Sequence, residues 1–288
     1  MTSDPHPATT GAATATCVIG TCGLVWVEGP DAASFLHGLV TCSVTDQAVG
    51  EGRLALLLDA KGHIGAQLQI VRDAAAGFTL ITDPGAAAPL VEDLERFHFS
   101  EDLEIIGPEA SAQLTLAADQ APSGAAIAAP GWTPGTWTIV ADDPLAAAAQ
   151  LGCTPTGAEA LERLRIRAGV ARVGTDTGPK TLVQEARFED RAVDFTKGCY
   201  LGQETVARAQ HRGQVHRTLR GVVAQAPLPA GAEVHYDGRA VGAITSTAAD
   251  PELGTIALGI LRRDVPDGAA VAVGPGAVPA TVRPLPLR

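Results

Sequence analysis

The stretch DFTKGCYLGQETVAR, residues 194–208, is unlike its surroundings. Most of the chain alternates Ala, Val, Leu and Gly, whereas here a cysteine stands among a lysine, a tyrosine, two glycines and a Gln-Glu pair. From Gly202 onward, GQETVARAQHRG reads as a short helix stopped by Gly213, with Glu204 and Arg208 at i and i+4. Cys199 then lies just ahead of a helix N-terminus, and Gly198 before it permits a positive φ and leaves the approach to the thiol uncrowded. Lys197 and the free N–H groups of the helix would both favour the thiolate. The plain alternative is a small buried hydrophobe, the commoner fate of a lone cysteine. No acid or histidine stands beside Cys199 to form a protease-like pair, and Lys197-Gly198 lacks the GxxxxGK[ST] spacing of a phosphate loop.

Working outward, the other cysteines (Cys17, Cys22, Cys42, Cys153) are scattered, show no metal-ligand spacing and read as core residues. An odd total of five argues against a disulfide framework and for a reducing compartment. No apolar run reaches the roughly 18 residues of a membrane helix. The N-terminus lacks the features of a signal peptide, so residues 1–16 are expected to be a disordered tail on a soluble cytoplasmic protein. The net charge of −11 argues against general binding to nucleic acid or to an anionic membrane. Yet twelve of the 21 Lys and Arg residues fall between Arg163 and Arg220, against six acids. That stretch is suited to a solvated helix face or to an anion-binding surface.

The stretch LVWVEGPDAASFLHGLVTCSVTD, 24–46, reads as strand, turn at Gly29-Pro30, then a helix with Asp31 in its first turn. Residues 52–72 read as two strands joined at Asp59–Gly62, followed by the strand GFTLITD and the helix AAAPLVEDLERFHF. The Ala- and Pro-rich segment 117–135 is expected to be loop before the strand TWTIVAD. TGAEALERLRIRAGVAR reads as a helix capped by Thr156, with acids early and arginines late. Beyond Arg217 come short alternating strands, with Asp237-Gly238 as a hairpin turn, and these predict a small β-barrel or sandwich.

KGCYLGQETVAR, followed by HRGQVHR, resembles the signature of the YgfZ family of folate-binding, iron-sulfur-related proteins. VEGPDAASFLHGLVT, LLDAKGHI, RIRAGVARVGTD and GRAVGAITSTAADPELGTIALGILRR follow in the family's order, so the resemblance runs from about residue 20 to 275. It implies an α+β fold, the three-domain ring of the glycine cleavage aminomethyltransferase with a C-terminal β-barrel. The implied division is a folate-binding domain of 17–50 plus 150–212, an inserted ferredoxin-like α+β domain of 51–149, and a barrel of 213–288. The implied ligand is tetrahydrofolate or a one-carbon derivative.

On this resemblance Cys199 is the functional thiol, and the signature residues Lys197, Tyr200, Gln203, Glu204 and Arg208 belong to the cofactor site. Glu185 would face the pteridine, whose N–H edge suits a carboxylate. Arg163, Arg167 or Arg172 would receive the glutamate carboxylates, with Arg172 counted in the cofactor site. The implied role is support of iron-sulfur cluster assembly or repair in client proteins, tRNA-modifying ones included, with no DNA or membrane partner and tRNA met only indirectly or weakly. Two alternatives stay open, a folate-dependent aminomethyl- or methyltransferase and a non-catalytic RNA- or protein-binding scaffold. Against the transferase, the strand after the central glycine turn, GHIGAQLQIV, has no acid where that enzyme carries an aspartate pair.

Overall fold

Alternating apolar residues at Val25 and Val27 put one face of a long first strand against the core, and in the computed structural model that strand, β1 (Ala15–Glu28), is the centre of a sheet. The structure describes residues 15–118, 120–122, 127–212 and 215–288. The expected tail lies outside them as far as residue 14, and Ala15 and Thr16 already belong to β1. The Gly29-Pro30 turn leads into α1 (Ala32–Leu39). There Asp31 is the N-cap residue, but its carboxylate accepts the Asp102 N–H at 2.8 Å instead of capping the helix.

Next come β2 (Gly52–Leu58), β3 (Ile64–Ala74), β4 (Gly77–Thr82), α2 (Ala87–Glu95), β5 (Glu104–Ala117), β6 (Ile127–Pro130) and β7 (Thr136–Val140). The sheet order is β2-β3-β4-β1-β5-β7-β6. Strand β6 falls inside the segment expected to be loop; its four residues become a strand by pairing with β7. The sheet also runs across the domain division implied by the resemblance, since β1 lies between β4 and β5. Helices α1 and α2 cover one face, where Phe35, Leu36, Leu90 and Leu94 meet Val25, Val27, Leu68, Ile70, Phe78 and Leu80. This burial is the dominant stabilising term of the unit.

The chain returns through α3 (Pro144–Gln150) and β8 (Cys153–Pro155), which pairs in parallel with the start of β1, to α4 (Ala158–Ala168). Helix α4 has Gly157, not Thr156, at its N-cap, with no side-chain cap, and it ends on Gly169 at φ +72. Two short helices, α5 (Glu189–Ala192) and α6 (Gln203–Arg212), bracket the signature loop.

The last unit comprises β9 (Arg217–Ala224), β10 (Glu233–Tyr236), β11 (Arg239–Ala243), β12 (Ser246–Asp250), β13 (Gly254–Arg262), β14 (Ala270–Val273) and β15 (Val278–Arg283). Six of these close a barrel in the order β11-β10-β14-β15-β9-β13, sealed where Gly242 faces Leu261, and β12 extends the rim. Asp237 (φ 49) and Gly238 (φ 75) form the β10–β11 turn, as their sequence predicts. Alternation along β13 sends Ala257 into the barrel while Ile256 and Leu258 face outward. These outward residues join Leu56, Ile64, Ile166, Phe188, Tyr200 and Val206 in a cluster that unites sheet, returning segment and barrel. No helix among the described residues is long and apolar enough to cross a membrane.

Candidate functional site

The signature loop between α5 and α6 is held on two sides. Its start is tied by Asp194, whose Oδ1 accepts hydrogen bonds from the Thr196 hydroxyl at 2.6 Å, the Thr196 N–H at 2.8 Å and the Lys197 N–H at 3.2 Å. These bonds hold the Asp194 carboxyl below its ordinary range. The backbone is latched to the end of α1, since Asp194 N donates to Thr41 O at 2.9 Å and Leu201 N to Gly38 O at 3.1 Å.

Lys197 completes this side. Its ammonium donates to the carbonyls of His37 in the last turn of α1 and of Val40 at its C-cap, each at 2.6 Å, and of Cys42 just beyond the helix at 2.8 Å. It also stands 5.1 Å from the Tyr200 ring centroid, a cation–π contact. Burial lowers the Lys197 pKa to about 8 and raises that of Tyr200 to about 12. Lys197 is therefore turned into the end of α1 to hold the loop, a correction to its expected place as the thiol's counter-charge.

The other side rests on the β2–β3 turn. Gly202 has φ +80, and a Cβ there would lie 2.6 Å from Asp59 O. Gly62, also at φ +80, approaches α6 so closely that a Cβ would lie 2.7 Å from Thr205 Cβ. Only glycine permits this contact. Gly198, by contrast, is not among the positive-φ glycines; a Cβ there would meet nothing nearer than His37 Nε2 at 3.8 Å. Gly198 thus does not use the positive φ open to it, and its own side of the loop is uncrowded.

What remains of the loop is Cys199. It is exposed, whereas the other four cysteines are buried. Burial drives Cys17 up to about 12, with Cys153 adding to the shift, and Cys22 and Cys42 up to about 11, which suppresses their thiolates. His37 borders the loop beside Gly198. Its Nδ1 accepts the Val44 N–H at 3.2 Å, so the neutral ring carries its proton on Nε2, the atom that faces the loop. Burial, then the charge of Lys197, lower its pKa and keep it neutral. Sequence reasoning misses His37; the signal available is a polar residue in the apolar helix FLHGL.

The other expected residues do not converge here. Gln203, Glu204 and Arg208 lie on α6, where Glu204 and Arg208 form an exposed ion pair. Glu185 is buried elsewhere; Oε2 accepts the Leu182 N–H at 3.1 Å and Oε1 accepts Arg217 Nε at 3.3 Å. Arg217 lines a cleft of about 650 Å³ between residues 176–181 and the barrel. Arg172 pairs with Glu162 at 3.1 Å beside a separate cavity that includes Gln67, Gln69 and Trp132. Arg167 is held by Asp250 and Glu252.

Gln67 and Gln69 occupy the strand in which a transferase would need its carboxylate. The first accepts the Val173 N–H at 2.6 Å and the second donates to Pro130 O at 2.7 Å and Thr138 Oγ1 at 2.9 Å. Between these places lies a buried knot. Asp176 accepts from Arg165 (2.7 Å), Ser246 (2.7 Å), Thr245 (2.5 Å) and the Arg172 N–H (2.9 Å), tying α4 to the barrel. Among the described residues no three His, Cys, Asp or Glu side chains gather as a metal site.

The chain is 27% identical over 223 residues to the tRNA-modifying protein YgfZ of Edwardsiella ictaluri, covering 67% of this chain and 66% of that one. It is 27% identical over 243 residues to the mitochondrial iron-sulfur cluster assembly factor IBA57 homolog of Pyricularia oryzae, covering 80% and 62%. The chain thus spans just under two thirds of the length of these curated relatives. Its fold matches the glycine cleavage system aminomethyltransferase T of Bartonella henselae with a TM-score of 0.79 at 22% identity, over 94% of this chain and 86% of that one. No family model matches the chain. The likeness to YgfZ read from the signature and the aminomethyltransferase-like fold both hold.

Proposed function

From its likeness to YgfZ and its aminomethyltransferase-like fold, we propose that this chain is a tetrahydrofolate-binding accessory protein of iron-sulfur cluster assembly or repair, with Cys199 as its functional thiol. The observation that carries this reading is the division of labour within the signature loop. Lys197, Tyr200 and Gly202 hold the scaffold, and Cys199 is left exposed on it, the one thiol among the exposed loop residues Phe195, Thr196, Gly198 and Cys199.

The Nε2–H of neutral His37 is a donor at the edge of this loop. It stabilises a thiolate, or a sulfur held there, and does not act as a base toward the thiol. A cluster ordinarily takes four protein ligands, so one thiol implies cargo shared with a client protein, tRNA-modifying enzymes among them. tRNA itself is met through such clients, and the compartment that suits free thiols is the reducing cytoplasm.

The folate fits at Glu185. Each carboxylate oxygen makes one hydrogen bond, which leaves acceptor capacity for the N–H edge of a pteridine. Arg217 stands beside it on a cleft of adequate size, and Lys180 on the same cleft suits the glutamate carboxylates. When bound, tetrahydrofolate supplies a carrier for a one-carbon unit. Turnover as an aminomethyltransferase is disfavoured by the amides of Gln67 and Gln69.

The test is anaerobic calorimetry with tetrahydrofolate on wild type, Cys199→Ala and Glu185→Ala. Binding that survives Cys199→Ala and weakens at least about tenfold in Glu185→Ala supports the assignment. Absence of binding to any of the three removes the folate and leaves a thiol-bearing interaction protein.

A further inference from the structure

Gln184, the residue before Glu185, faces a space other than the Arg217 cleft. A cavity of about 550 Å³ lies between residues 184–189, the second half of α6 and the start of β9, lined among others by Gln184, Arg187, Glu189, Gln210, Arg220 and Arg263. Gln184 is 7% exposed, and its Nε2 donates to Val206 O at 2.9 Å, which fixes the amide and leaves Oε1 as an acceptor. That Oε1 and the Oε2 of Glu189 are both buried without a hydrogen-bond partner among the described residues. Two such oxygens on one cavity are unusual, because an unsatisfied buried acceptor is costly.

The rim carries three arginines against one exposed acid, Asp267. Arg187 is exposed, stands at φ 60 and is bonded to none of the described residues. Arg220 is ion-paired with Asp267, and Arg263 lies on the same wall. Acceptors inside and guanidinium groups at the mouth define a polarity for whatever enters. An N–H-bearing head satisfies the oxygens, and an acid group meets the arginines.

We propose that this cavity is a second small-molecule site, for an acid carrying an N–H-rich head, with Gln184 and Glu189 as its acceptors and Arg187 as its anion contact. Two kinds of molecule share that chemistry, an amino acid and an aminated-base phosphate. The site is independent of the folate reading, since Glu185 faces Arg217 and Gln184 faces this cavity.

The experiment titrates L-glutamate, adenosine monophosphate and inorganic phosphate, each to about 10 mM, into the full chain by calorimetry, a range that reaches the weakest specific affinities. Wild type is compared with Gln184→Met, Arg187→Gly and Glu185→Ala. The expected result is binding of glutamate or the nucleotide, weakened about tenfold or more in Gln184→Met and Arg187→Gly and unchanged in Glu185→Ala. Whichever of the two binds identifies the head. Phosphate alone should bind more weakly, for want of a head. Arg187→Gly relieves a left-handed backbone at the surface, so it should fold at least as well as wild type and keeps the test valid if Gln184→Met does not fold. No binding by any probe, or equal binding to wild type and Arg187→Gly, overturns the proposal.

Discussion

Lys197 acts on His37 in two ways. The Lys197 ammonium donates to the His37 carbonyl at 2.6 Å, and its charge, together with burial, holds the His37 imidazole neutral. One lysine thereby fastens the loop that carries Cys199 and adds to the burial that lowers the His37 pKa at its edge.

Replacing Lys197 by Met should destabilise the protein by about 3 kcal/mol, because three carbonyls at the end of α1 lose their donor together. Urea titration at pH 7 measures this. A change below the error of the titration would mean that water replaces the ammonium at no cost.

The pH dependence of that difference has a definite sign. The Lys197 pKa is lowered from 10.5 to about 8 in the folded protein, so between these values the unfolded chain binds more protons. Wild type should gain stability relative to Lys197→Met as pH rises from about 8 toward 10. A gap that narrows over this window would show that the helix-end carbonyls favour the charged ammonium more than burial opposes it.

Alkylation of the native protein should label one cysteine rapidly, Cys199, with Cys17, Cys22, Cys42 and Cys153 reacting only on unfolding. Mass spectrometry after brief iodoacetamide treatment reads the site, and Cys199→Ala should leave the folded protein essentially unlabelled.

If the Nε2–H of His37 supports a reactive sulfur at Cys199, His37→Phe should slow that alkylation about threefold to tenfold at pH 7. An unchanged rate would make the ring a packing residue only.

The two glycines nearest Cys199 should behave differently. Gly202→Ala sets a Cβ 2.6 Å from a backbone oxygen at φ +80 and should cost about 2–4 kcal/mol. Gly198→Ala meets only the imidazole at 3.8 Å and should fall within about 0.5 kcal/mol of wild type. Thermal melts of the pair separate them.

Where structure follows from neighbours along the chain, the sequence is legible. The β2–β3 hairpin, α1 after Gly29-Pro30 and the Asp237-Gly238 turn are all written in local alternation and turn chemistry. Strand β6 is not, because Ile127–Pro130 has little tendency of its own and takes its form from β7. The helix start at Gly157 is misread because Thr156 has the right side chain for a cap, yet its N–H is engaged by Cys17 O.

In the site, the sequence marks Cys199 and its neighbours but not their targets. Lys197 is two residues from the thiol along the chain, yet its ammonium answers carbonyls brought in from α1. His37 and the Arg165–Asp176 knot are invisible for the same reason, since each depends on elements that meet only in the folded chain.

The bonds that hold the signature loop also carry a schedule. Lys197 is 160 residues from His37 and 155 from Cys42, and the Thr41–Ala192 bond spans 151. Contacts of such separation carry a large loop-closure cost and form only when both partners are present. A chain made only as far as α1 has no partner for that helix's end. The loop that carries Cys199 is therefore mounted only after residues up to Leu201 have been made, so a partner that recognises the mounted loop passes over shorter nascent chains.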